Sequence, residues 1–369
     1  MNLIRIKAIA KKEMLQIIRD PLSLAMGFMM PVLLLFIFGY AISLDVNDIT
    51  TIVYDQDRSS LSRGLVADLS ASGYFKVVRY AEQEREIGQY LDAGRARVGL
   101  TIPVDFSRDI RGGRVTQLPI VVDGSDSNTA TIALGYFAAL TELYGRRISP
   151  VPVKALIETR ARIWYNPELK SRNFIVPGLI AVIMMVIAAL LTSLCIAREW
   201  ERGTMEQLIA TPVKIPELIL GKMIPYYVIG MVDMTLSITM ATLLFEVPFR
   251  GSLLLLTVIS TVFLFGGLSF GIIISIITKS QVVSSQISVV ATYLPAFLLS
   301  GFMFSISNMT RPLQIITHII PARYFVAILK GLFLKGSTVR ILYADGVFLL
   351  AFGIITFAAA NRKFKKRLE

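Results

Sequence analysis

The chain has 369 residues, 54% of them hydrophobic and 17% charged, with a net charge of +12 and a single cysteine. That balance belongs to a membrane protein rather than a soluble globular one, and one cysteine excludes an intramolecular disulfide. Residues 45–172 hold 17 Lys/Arg against 16 Asp/Glu, a net of +1, so +11 lies elsewhere, mostly beside apolar segments. There it reports topology and contact with anionic membrane lipids, and nothing supports nucleic acid as a partner.

Residues 2–19 read as an amphipathic helix. Leu3, Ile6, Ala10, Met14 and Ile17 fall on one face, and Arg5, Lys12, Gln16 and Arg19 on another. Asp20-Pro21 stops it. Residues 22–44 follow without a single Asp, Glu, Lys or Arg, and about 20 such residues suffice to cross a bilayer. Ala41-Ile42-Ser43 resembles a signal cleavage site, but the apolar run is too long for a typical signal and reads as an uncleaved anchor.

Residues 45–172 form the one sizeable polar domain. Segments 49–54, 75–80, 97–102 and 118–122 read as strands, 59–70 and 81–93 as helices, and 129–147 as a longer helix. The alternation predicts a small α/β domain. Its acidic clusters, Asp55-Gln-Asp57 and Asp123-Gly-Ser-Asp126, follow predicted strands and read as turn and cap chemistry rather than a metal or catalytic site.

Five further apolar windows complete six predicted spans: 173–197, 223–245, 252–278, 281–308 and 343–360. The third span contains Asp233 near its middle, where an isolated charge costs several kcal/mol. Asp233 is therefore paired, protonated or lining a polar cavity, and Thr235, Ser237, Thr239 and Thr242 suggest a polar interior around it. Between the fifth and sixth spans, residues 309–336 carry Pro312, Pro321, Arg323 and the only histidine, His318. Proline-broken apolar pieces of this length read as re-entrant or interfacial helices. Basic residues cluster at both termini, which places both in the cytoplasm and the 45–172 domain outside it.

The second and third spans are joined by a dense charged run, residues 198–212. Drawn as one helix, it puts Glu199, Arg202 and Glu206 on a shared face. An ordinary solvated loop is the alternative. No Walker A loop, G-x-S-x-G elbow or H-E-x-x-H motif occurs, so enzyme chemistry and a bound cofactor are not expected in this chain.

The run Arg198-Glu-Trp-Glu-Arg-Gly-Thr-Met-Glu-Gln-Leu-x-x-Thr-Pro212, with Glu217, Gly221-Lys222 and Pro225-Tyr226, resembles the ABC type-2 exporter permeases. Lys12-Glu13…Arg19-Asp-Pro21, Leu299-Ser-Gly-Phe302, Ile320-Pro-Ala-Arg-Tyr-Phe325 and Leu329-Lys-Gly331 extend the likeness along the whole chain. The long insertion after the first span resembles the multidrug-efflux branch. The resemblance implies an α-helical membrane protein with six transmembrane helices and an inserted small α/β extracytoplasmic domain after the first span. Residues 1–20, with Lys12, Glu13 and Arg19, would form an interfacial elbow, and 21–44 the first span. Residues 45–172 would be the extracytoplasmic domain, 173–361 a five-span membrane domain and 362–369 a basic cytoplasmic tail. Within 198–212, Glu199, Glu201, Arg202, Gly203, Thr204 and Glu206 would form the coupling helix that docks on a separate soluble ATPase subunit, which would hold ATP and Mg. Pro312, Pro321 and Arg323 would belong to outer re-entrant helices. A second permease, homo- or heterodimeric, would complete the unit in a bacterial inner membrane, with a periplasmic adaptor as a further partner. The expected activity is export of hydrophobic or amphiphilic compounds. A proton-coupled carrier using Asp233 and a ligand-sensing membrane protein are the rivals.

Overall fold

The computed structural model describes residues 1–41, 48–124, 127–148, 166 and 170–364. It divides into two compact units, one formed by Met1–Ser43 with Ile163–Glu369, the other by Leu44–Arg162.

In the first unit, α1 (Leu3–Ile18) starts at Asn2, whose side chain accepts a hydrogen bond from the Ile4 amide. Its buried residues are Ile6, Glu13 and Ile17, while Leu3 is 79% exposed. The inward stripe therefore differs from the apolar one read in sequence: a carboxylate sits in it and Leu3 does not. After α1 come α2 (Pro21–Leu24), a π-helical turn (Ala25–Met29) and α3 (Met30–Ala41). The apolar segment is thus not one uniform α-helix. Pro31 has no amide hydrogen to give, and one turn earlier the ladder widens so that the Met30 amide bonds to the Ala25 carbonyl. Residues 42–44 of the predicted first span and Ser125 and Asp126 of the second acidic cluster lie outside the described residues.

The second unit holds a four-stranded sheet in the order β2-β1-β3-β4, with β1 (Ile49–Asp55), β2 (Phe75–Tyr80), β3 (Val98–Ile102) and β4 (Ile120–Val122). The first three strands are parallel and β4 is antiparallel to β3. Both faces of β1 are covered, as parallel sheets require. Ile49 and Val53 pack with α4 (Ser60–Ala71), α6 (Phe106–Arg111) and α7 (Ser127–Ile148), and Ile52 faces α5 (Arg85–Asp92). A Cβ on Gly99 would stand 2.2 Å from Ile87, so α5 rests directly on β3. The acidic turn after β1 is bonded within the unit: Asp55 accepts from the Arg58 amide and the Ser62 hydroxyl, and Asp57 Oδ1 from the Ser107 hydroxyl, while Asp57 Oδ2 is buried without a hydrogen-bond partner among the described residues. Burial pushes the Asp57 carboxyl up, but hydrogen bonds from Ser59 and Ser107 and the nearby Arg111 charge hold it below its ordinary value.

The first unit resumes with α8 (Ser171–Glu201), α9 (Met205–Ala210), α10 (Ile215–Thr239), α11 (Leu253–Thr278) and α12 (Gln281–Leu299). It ends with α13 (Arg311–Thr317), α14 (Pro321–Lys330) and α15 (Val339–Lys363). Among the described residues five helices are long and apolar enough to cross a membrane: α8, α10 with its π-helical end, α11, α12 and α15. The first apolar segment contributes a shorter helix, Ala25–Tyr40, and the pair Arg311–Thr317 and Pro321–Lys335 is bent by 82°. Nearly all of α8 is buried, and α3, α10, α11, α12 and α14 surround it. Small residues permit that packing. A Cβ on Gly271 of α11 would lie 2.2 Å from the Ala189 carbonyl oxygen and from the Thr192 hydroxyl of α8.

Candidate functional site

The charged run between α8 and α10 is not a single helix. α8 ends at Glu201 and Gly203 takes φ +68°, a left-handed conformation that glycine adopts without strain. The Gly203 amide bonds to the Trp200 carbonyl and the Thr204 amide to the Glu199 carbonyl, which is a Schellman turn. α9 then starts in a new direction, so Glu199, Arg202 and Glu206 do not share one helical face. Nothing lies within 4 Å of a Cβ built on Gly203, so the residue serves the turn and leaves no crowded contact to relieve.

Glu199 points inward. It is 2% exposed, and it accepts from Lys222 Nζ at 2.9 Å, from Lys12 Nζ at 2.5 Å and from the Thr204 hydroxyl. Lys222 Nζ also donates to Glu13 at 2.8 Å. Glu13 in turn accepts from the Tyr226 hydroxyl at 3.0 Å and the Cys195 thiol at 3.2 Å. The cluster thus joins α1, α8, the Gly203 turn and α10. It holds two cations, Lys12 and Lys222, and two carboxylates, Glu13 and Glu199, so it is neutral as a whole. Such an arrangement is sustainable in a low-dielectric interior only when every charge is paired.

A second set of contacts closes around it. Arg198 pairs with Asp20 at 3.0 Å and donates to Gln281 at the start of α12. Glu201 accepts from the backbone and side chain of Gln281. Glu217 accepts from the Asn2 and Lys214 amides, and Arg5 donates to the Pro212 carbonyl at 2.6 Å. Where α1 crosses α10, a Cβ on Gly221 would meet Ile9 at 2.8 Å. Arg202, Gly203, Glu206 and Gln207 are exposed here, as are Glu201, Ala210, Pro212 and Lys214, and the buried Met205 pins the turn.

Of the residues singled out in sequence, Lys12, Glu13, Glu199 and Thr204 are brought into one cluster, and Glu201, Arg202, Gly203 and Glu206 lie beside it. Arg19 is the exposed C-cap of α1. Pro312 opens α13 and Pro321 opens α14, where Arg323 bonds the Thr317 hydroxyl across the bend. Asp233 stands apart, 1% exposed, and neither carboxylate oxygen has a hydrogen-bond partner among the described residues. The threonines beyond it do not build a polar interior: Thr235 and Thr239 are exposed and return their hydroxyls to the carbonyls of Met231 and Thr235. Sequence reasoning passed over Lys222, Tyr226 and Cys195 as cluster members. The spacing of Lys222 and Tyr226, one turn apart at the start of an apolar run, is the signal that marks a buried polar face. No group of three or more His, Cys, Asp or Glu that could hold a metal ion occurs among the described residues.

The profile described as "ABC-2 family transporter protein" matches residues 22–361, and the chain belongs to that family. Its relatives include "Probable multidrug ABC transporter permease YbhS" of Escherichia coli strain K12, 38% identical over 99% of this chain and 98% of that one. "Probable multidrug ABC transporter permease YbhR" of the same strain is 30% identical over 99% of both chains. "ABC transporter G family member 20" of Dictyostelium discoideum is 22% identical over 89% of this chain and 46% of that protein. The chain is therefore an ABC-type permease with multiple membrane spans.

Proposed function

We propose that the chain is the membrane-embedded subunit of an ATP-driven exporter of hydrophobic or amphiphilic compounds, working as a dimer of permeases on a separate ATPase. In this reading the first apolar segment and the five long helices make six crossings. The termini and the 198–212 junction face the cytoplasm of a bacterial inner membrane, and the sheet unit lies outside it. The bent 309–336 segment dips into the outer leaflet. Membership in the family supports the reading, as do the naming of the relatives and the lack of a phosphate-binding loop in the sequence.

The observation that carries the docking site is the division of labour at the junction. Glu199, Lys222 and Glu13 are buried and mutually paired, so they fix the turn. Arg202, Glu206 and Gln207 are exposed on it, so they meet the ATPase. Displacing the turn would drag α1, α8 and α10 as one body, because packed elements shift together. The test is co-purification of the tagged chain with its ATPase in mild detergent. Reversing both outward charges (Arg202→Glu with Glu206→Lys) should reduce recovered ATPase at least tenfold while the chain elutes as folded protein. Recovery of no ATPase with intact wild-type chain would remove the reading.

A further inference from the structure

Asp233 is left unexplained by docking. It lies on α10 in the stripe of buried residues Lys222, Tyr226, Ile229, Asp233 and Ser237, each three or four residues from the last. Asp233 is eleven residues beyond Lys222, roughly 16 Å along the helix at 1.5 Å per residue. Lys222 cannot serve it, since that lysine already bridges Glu13 and Glu199 in a neutral cluster. A second orphan lies on the neighbouring helix. α11 packs against α10, with Gly230 against Leu264 and Tyr227 bonded to Thr261, the residue next to Ser260. The Ser260 hydroxyl is 1% exposed and also lacks a partner among the described residues.

A buried carboxylate without a partner in the apolar part of a membrane helix costs several kcal/mol. We propose that the counter-charge is supplied from outside the chain, and that Asp233 recognises the cationic centre of the exported compound, with Ser260 as a supporting acceptor. The proposal rests on the exporter reading above and names its substrate class: amphiphiles carrying one positive charge on an apolar body. In the state described here Asp233 is closed off, so the cation reaches it when α10 parts from its neighbours during the transport cycle. The apolar remainder of the compound lies along the surrounding aliphatic and methionine side chains, which adapt to varied shapes.

The test is equilibrium binding to the purified full-length chain in detergent, with tritiated tetraphenylphosphonium as the cation and triphenylphosphine oxide as its neutral counterpart. Asp233→Asn is expected to weaken cation binding at least tenfold and leave the neutral compound within about twofold. Asp233→Glu is expected to restore most of the cation affinity, which a packing role would not. Unchanged cation binding in Asp233→Asn overturns the proposal, as does an equal loss of both compounds from a variant with wild-type thermal stability. ATPase co-purification is scored on the same preparations. Its absence would count against the exporter reading alone, because binding is read without it.

Discussion

At the residue scale the neutrality of the Lys12, Glu13, Glu199, Lys222 cluster makes its members unequal. Lys12 is half exposed and can be lost to solvent, whereas Lys222 is buried and shared by both carboxylates. Lys222→Met leaves two buried carboxylates facing one solvent-accessible lysine, and breaking a buried pair in this way costs about 3–5 kcal/mol. Glu13→Leu combined with Lys222→Met removes one charge of each sign and keeps Glu199 with Lys12, so the double variant is expected to be more stable than Lys222→Met alone. Cys195 supplies the measurement. It is the only cysteine, buried, and bonded to Glu13, so its rate of alkylation reports opening of the cluster. Lys222→Met should accelerate labelling strongly and the double variant less. Charge reversal at Glu199 is for the same reason no probe of docking: it would put a third cation among Lys12 and Lys222 and disturb the junction itself.

At the scale of elements, the Gly203 turn decides what the charged run presents. Gly203→Ala must hold a side chain at φ +68° with no steric neighbour to blame, and the left-handed conformation alone costs about 1–2 kcal/mol. The expected result is a lower melting temperature of the chain, together with weaker ATPase recovery, while Gly203→Asn loses less because asparagine tolerates that backbone. Equal melting temperatures for both variants and the wild type would contradict the turn's role. The sequence made the elements readable wherever periodicity is local. Long apolar windows located α8, α10, α11, α12 and α15, and short strand-forming runs located β1 to β4. It did not make readable the break inside 198–212, where Arg, Glu, Met and Gln all favour helix on both sides of one glycine. Nor could it show that Glu199 turns inward, because its partners lie 187 and 23 residues away. The short helix α6 and the π-helical turn before Pro31 were missed because their causes are a packing contact and a missing amide, neither of which has a period.

At the scale of the molecule, topology is the property on which the proposed function depends. The native cysteine is buried, so introduced cysteines can be read against a low background. Val115, in the sheet unit, is 96% exposed, and Glu206 lies on the outward side of the junction. A membrane-impermeant maleimide added to intact spheroplasts should label Val115→Cys and leave Glu206→Cys unmodified until the membrane is opened. The opposite pattern would put the sheet unit on the ATPase side and end the exporter topology. The apolar residues left exposed on α12 and α15, including Val290, Ile341 and Ile355, are ordinary in a membrane permease, whose outer solvent is lipid.

The neutral cluster also imposes a schedule on the chain's own manufacture. Glu13 is synthesised 209 residues before Lys222, the cation that neutralises it. At roughly 5–20 residues per second, ribosomes leave that carboxylate waiting about 10–40 s. Until α10 arrives, Lys12 can pair with Glu199, but Glu13 lacks the lysine and the Tyr226 hydroxyl that bond it in the folded chain. A chain that stops short of Lys222 is therefore expected to be a better substrate for membrane proteases than one that includes it. Pulse-chase of chains ended just before Lys222 and just after Tyr226 should show the shorter one cleared markedly faster.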